Sequence, residues 1–129
     1  MKRLLWALLL AVVPAWAQWT QVGVDAKALT YADPATIRKQ DHVATMTILV
    51  DFKNAQRAPY GPEYLSQKMQ QEFDCGARRT RILELASYAG QRAEEDVVAA
   101  QDAPGEWKPV APQTLAEALW NIACGKRAE

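Results

Sequence analysis

Histidine is almost missing from this 129-residue chain, with His42 standing alone. Serine occurs only at Ser66 and Ser87, and cysteine only at Cys75 and Cys124. A Ser–His–Asp site would have to use that one histidine, and neither serine lies in a nucleophile elbow. His42 is expected instead at the exposed start of a strand. The six glycines are scattered singly, so no glycine-rich loop is present to cradle a phosphate. There is no C-x-x-C pair, and one histidine cannot build a cluster, so redox and zinc sites lack their usual ligands. Acidic residues cluster at Glu94-Glu95-Asp96, without the alternating oxygen ligands and glycine turn of a calcium loop. A solvated loop accounts for them. No spacing nominates a carboxylate pair for glycoside chemistry. The chain is expected to carry no cofactor, no metal and no enzymatic activity.

Long apolar runs are also missing, apart from a short one at the start. Met1-Lys2-Arg3 is followed by the apolar stretch Leu4 to Val13, then Pro14-Ala15-Trp16-Ala17. This is a charged region, a short hydrophobic region and a small-x-small cleavage box. Residues 1–17 are expected to be a cleaved signal peptide, cut between Ala17 and Gln18. The run is shorter than the roughly 20 apolar residues that a bilayer span needs. No cysteine sits at the cut for a lipid anchor. Residues 18–129 then form one domain of 112 residues. Losing Lys2 and Arg3 leaves 13 basic against 15 acidic residues, a net charge of −2. That balance does not suit a nucleic-acid protein. No membrane span is expected after cleavage. Export places Cys75 and Cys124 in an oxidising compartment, where pairing with each other is the default. A reactive thiol, a metal ligand or an intermolecular link are the alternatives.

The mature chain alternates like a sheet protein. Trp19 to Val24 reads as a strand, and Leu29-Thr30-Tyr31 as a second. Asp33-Pro34 is expected to cap a single helical turn through Ile37. Val43 to Phe52 is the strongest strand, with Ala44, Met46, Ile48, Val50 and Phe52 on one face. Val43, Thr45, Thr47, Leu49 and Asp51 share the other, more polar face. Lys53 to Pro62, with Pro59 and Gly61, reads as a loop. Leu65 to Cys75 alternates again, and the side carrying Lys68, Gln70, Glu72 and Asp74 is expected to be solvated. Gly76-Ala77 is a turn, Arg79 to Tyr88 a strand, and Val97 to Ala100 a short final strand. Asp102 to Pro112 reads as a linker. Thr114 followed by Glu117 has capping-box spacing, Leu115, Leu119 and Ile122 form a helical stripe, and Gly125 stops the helix. The fold class is α+β: an antiparallel β-sheet with a C-terminal α-helix packed on one face and one disulfide.

One basic cluster stands out. Arg79 and Arg81 share a strand face, with Arg78 near the turn and Lys68 on the preceding strand. Such a face suits an acidic polymer or protein segment. Cross-strand pairing with Glu72 or Asp74 is the simpler reading. Trp107 and Trp120 are expected in the core rather than as ligand platforms.

The order of residues resembles a known family. An early Trp, Tyr31-Ala32-Asp33-Pro34 with Ile37 and Arg38, and Val50-Asp51-Phe52-Lys53 carry the likeness. So do Tyr64, Ser66, Phe73-Asp74-Cys75 and Arg79-Thr80-Arg81 with Tyr88. Trp107 before Pro109-Val110, Ala116-Glu117 and Cys124 complete it. Together they resemble the surface-adhesin protein E family of Gram-negative bacteria. The resemblance implies a helix-backed antiparallel sheet, joined cysteines and no enzymatic activity. It also implies binding of host matrix or plasma proteins such as vitronectin and laminin. The family's vitronectin-binding stretch corresponds to about Glu63 to Arg81. There the family's adhesin is strongly basic, whereas this chain inserts Glu63, Glu72 and Asp74. The family's founding adhesin is also a lipoprotein, and the lipid-bearing cysteine is missing here. The expected function is an exported binding module using Lys68, Arg78, Arg79 and Arg81 for a protein ligand. The alternative is a periplasmic envelope protein with no host ligand. A free sheet edge would also support a homodimer. Either the periplasm or the outer cell surface fits the export signal.

Overall fold

The computed structural model describes residues 19–57 and 61–125. The leader and its cleavage site therefore lie outside the described residues, as does Pro59. Six strands form an antiparallel meander in chain order: β1 (Thr20–Val24), β2 (Ala28–Gln40), β3 (Val43–Arg57), β4 (Glu63–Asp74), β5 (Arg79–Tyr88) and β6 (Val97–Gln101). A two-residue strand, β7 (Lys108–Pro109), also pairs with β5. One helix, α1 (Leu115–Cys124), follows. No helix among the described residues is long and apolar enough to cross a membrane.

The alternation in β3 places Ala44, Met46 and Ile48 under the helix, each essentially inaccessible. Phe73 and Met69 of β4 join them, and Leu119, Trp120 and Ala123 of α1 close the core. The buried stripe of the helix is Leu119, Trp120, Ala123 and Cys124, rotated from the expected one. Leu115 is 41% exposed at the margin, lying over Gly23. Both ends of α1 are fixed as the sequence implies. Thr114 Oγ1 accepts a hydrogen bond from the Glu117 amide at 3.2 Å. Gly125 ends the helix with φ +70°, a left-handed conformation that glycine adopts without strain. Lys39 donates to the Cys124 carbonyl at 3.0 Å, a cation on the negative helix end. Cys75, in the turn after β4, is bonded to Cys124.

Four expectations are corrected. Asp33 to Ile37 is not a helical turn. It lies within β2 as a wide bulge, because the register jumps from Asp33 opposite Thr47 to Arg38 opposite Thr45. Asp33 accepts from the Ala35 amide, while Thr36 Oγ1 donates to the Asp33 carbonyl and accepts from the Thr47 amide. These bonds satisfy the backbone where Pro34 lacks an N–H. Lys53 to Arg57 continues β3 past a second register jump, between Asp51 and Gln56, instead of starting a loop. The segment Asp102 to Pro112 contains β7. The polar face of β4 is not all solvated: Asp74 is 2% exposed and Ser66 is fully buried. Ser66 is covered by a strap around the 3-10 turn Gln91–Ala93. Its hydroxyl donates to the Gly90 carbonyl and accepts from the Ala93 amide, and Asp51 accepts from the Arg92 amide.

Candidate binding face

The face opposite the helix, here the outer face, is open near the β4–β5 turn. Register brings the basic cluster directly against carboxylates: Asp74 faces Arg79 and Glu72 faces Arg81. Arg79 Nε donates to Asp74 at 2.9 Å, and Arg81 Nε donates to Glu72 at 2.7 Å. Both guanidinium groups also lie 4.5 Å from the ring centre of Trp107. Trp107 is thus not in the core as expected. β7 carries its neighbours along β5, and the ring lies half-buried beneath two arginines. Trp120 does lie in the core, 3% exposed, with its indole N–H donated to the Asp74 carbonyl.

Arg78 is separated from the other two. It occupies the turn with φ +47°, bonds Glu117 and stacks 4.7 Å from Trp120 on the helix side. Lys68 is exposed, but it pairs with Leu49 and Ala86. It lies four residues along β4 from Glu72, about 13 Å away. The four residues expected to act together therefore resolve into one close pair and two outliers.

Register also adds a residue that sequence reading misses. Arg38 faces Thr45, Thr45 faces Glu72, and Glu72 faces Arg81, forming one row across four strands. A groove of about 480 Å³ opens there, lined by Arg38, Val43, Thr45, Glu72, Arg81 and Trp107. Nothing local marks Arg38 as part of this row, because the β2 bulge sets its register. Among the described residues, no protein acceptor engages the terminal nitrogens of Arg79 or Arg81. Those donors are available to a carboxylate or sulfate on a ligand.

Asp74 and Glu117 are held ionised. Burial pushes the Asp74 carboxyl up, but the hydrogen bonds from Arg79 and the Gly76 amide, with the charge of His42, leave it below the ordinary aspartate value. The Gln113 amide, and then Arg78, lower that of Glu117. No group of three potential metal ligands occurs among the described residues. Nor does a serine meet the histidine. His42 lies in the β2–β3 turn, 3.9 Å from Asp74. Ser66 lies eight residues back along β4, about 27 Å away. The arrangement offers recognition chemistry, with fixed cations, a ring and a groove floor.

Solved structures share this architecture. One of Haemophilus influenzae protein E superposes with a TM-score of 0.66 at 13% identity, covering 88% of this chain and 86% of that one. A second crystal form gives 0.62 at 11% identity, covering 81% and 91%. Protein E from non-typeable Haemophilus influenzae gives 0.64 at 12% identity, covering 89% and 79%. At such identity the likeness establishes the fold. No curated protein matches the sequence. The sequence does match the surface-adhesin protein E family model over residues 19–125, and the chain belongs to that family.

Proposed function

We propose that this protein is an exported, non-enzymatic binding module for a protein ligand. Its contact surface is the outer face at Arg79, Arg81 and Trp107, with Lys68 and Arg78 at the margins. The family match over residues 19–125 carries this reading. The groove beside Arg81 supports it, because it presents arginine donors next to an aromatic ring. Residues 1–17 act as the leader and residues 18–129 as the working domain. Host matrix or plasma proteins, vitronectin and laminin first, are the ligands to screen.

The test is binding of the mature domain to immobilised vitronectin and laminin, with Arg78→Glu/Arg79→Glu/Arg81→Glu as the comparison. Loss of binding in the triple variant supports the site. Unchanged binding to every matrix protein would sink it. One observation favours a second reading: each of the three arginines already has an internal carboxylate partner. Such a face also suits a periplasmic envelope protein with no host ligand. Protease shaving of intact cells separates the two. Fragments released without lysis support the surface adhesin, whereas full protection until the outer membrane is permeabilised supports the periplasmic protein.

A further inference from the structure

Among the described residues the sheet's outer borders are β1, β6 and the part of β5 beside β7, and they differ in kind. The β1 border is interrupted by a bulge between Gln21 and Gly23, beside Leu115 of the helix. One stretch of β5 is capped by β7, whose Pro109 has no N–H to offer. The border of β6 is different. Among the described residues β6 ends the strand order and pairs only with β5, so alternate backbone N–H and C=O groups point away from the sheet. It contains neither lysine nor proline, the usual guards of an open edge. Its single bulge, at Val98, leaves Ala99 to Gln101 in regular register. Val97 is 53% exposed, one of three exposed large hydrophobic residues among those described.

The charge flanking this edge along the chain is one-sided. From Ala89 to Glu106 the chain carries five acidic residues and one basic residue. Glu94, Glu95 and Asp96 precede β6, Asp102 and Glu106 follow it, and all five are exposed. An uncharged edge strand is thus bracketed by acids at both ends. We propose that the β6 edge is a strand-addition site for an extended peptide with an uncharged centre and basic ends. Backbone pairing along β6 would hold the peptide, and the acidic brackets would select its flanks. The strand itself, Val97–Gln101, pairs about five residues, or roughly 17 Å of extended chain, and the peptide's basic ends would reach the acids beyond it. A second copy fits poorly. With a two-fold axis centred on Ala99, Asp96 would face Asp102, and like charges opposite one another destabilise a pair. The site does not rest on the arginine face, which begins about 13 Å away along β5.

Three peptides test this on the mature, oxidised protein. One has a Val/Thr centre with two lysines at each end. A second replaces the lysines with glutamates. A third is the lysine peptide N-methylated at alternate central residues, which blocks strand pairing. Anisotropy titrations give affinity, and amide exchange gives location. The lysine peptide should bind saturably, weaken with salt and protect amides between Val97 and Gln101. Glu94→Lys/Glu95→Lys/Asp96→Lys, with all three changes on exposed side chains, should weaken it about tenfold. The N-methylated peptide should not bind, a comparison that needs no variant protein. The proposal is overturned if the N-methylated or glutamate peptide binds as well as the lysine peptide. It is equally overturned if protection falls on β1 or the arginine face, or if β6 is already protected by self-association.

Discussion

Asp74 joins more of the molecule than any other polar residue described. Its carboxylate accepts from Arg79 and from the Gly76 and Ala77 amides, while its carbonyl accepts from Trp120 of the helix. The carboxyl values of Asp74, Glu117 and Asp25 are all lowered, that of Asp25 mainly by the Lys27 and Ala28 amides. A group whose folded value is depressed contributes stability that is fully present above its unfolded value. That contribution is lost as pH falls through the folded value. The melting midpoint should therefore be flat from about pH 7 to 5 and decline below about pH 4. Asp74→Asn should lower the midpoint at neutral pH and make the acid decline shallower. A variant with the wild-type acid slope would show that Asp74 is not its source. Trp107 gives a second test. Two guanidinium groups stack on it at a partly exposed site, so Trp107→Ala should cost about 1 kcal/mol in urea titrations. No loss would mean that the stacking is incidental.

Among the elements, α1 was the most legible in the sequence, because its signals are local. Thr114, Glu117 and Gly125 mark its ends within a dozen residues; the hydroxyl and glycine caps form as that spacing implies, while the Glu117 carboxylate accepts from the Gln113 amide in place of the Thr114 amide. Thr114→Ala should therefore cost about 1 kcal/mol, read as a shift in the urea midpoint at constant slope. A shift near zero would mean that the disulfide and Trp120 hold the helix without its cap. The central strands were legible for a similar reason: Ala44, Met46 and Ile48 alternate on a buried face. What stayed hidden depends on register. Pro34 looks like a helix start in isolation, and only the register jump between Asp33 and Arg38 makes it part of a bulge. Lys53 to Arg57 lacks apolar alternation, so its pairing with β4 leaves no trace in composition. The candidate face shows the same division. Pairing of Arg79 and Arg81 with Asp74 and Glu72 follows from a short hairpin and was foreseeable. The contribution of Arg38 and the surface position of Trp107 require the β2 bulge and β7, which join residues distant in sequence.

For the whole molecule, the question is whether sheet and helix can come apart. Both layers share one core: Ala44, Met46, Ile48 and Phe73 of the sheet and Leu119, Trp120 and Ala123 of α1 belong to a single buried cluster. Undocking the helix would expose both sets at once, so neither layer is a separate folding unit. The bond between Cys75 and Cys124 spans 49 residues and ties the last turn of α1 to the β4–β5 turn. In the chain-entropy picture, closing a loop of that length stabilises the fold by about 4 kcal/mol. For a domain of this size that corresponds to roughly 15 °C in melting midpoint. Cys75→Ser/Cys124→Ser should therefore melt about that much lower than the oxidised protein. The transition should remain single, with far-UV circular dichroism and tryptophan fluorescence coinciding. Two separated transitions would mean that the disulfide holds the layers together in place of the shared core. A single transition with an unchanged midpoint would mean that the unfolded chain gains nothing from release of the loop. Only the lowered, coincident transition fits a helix that the core binds and the disulfide secures.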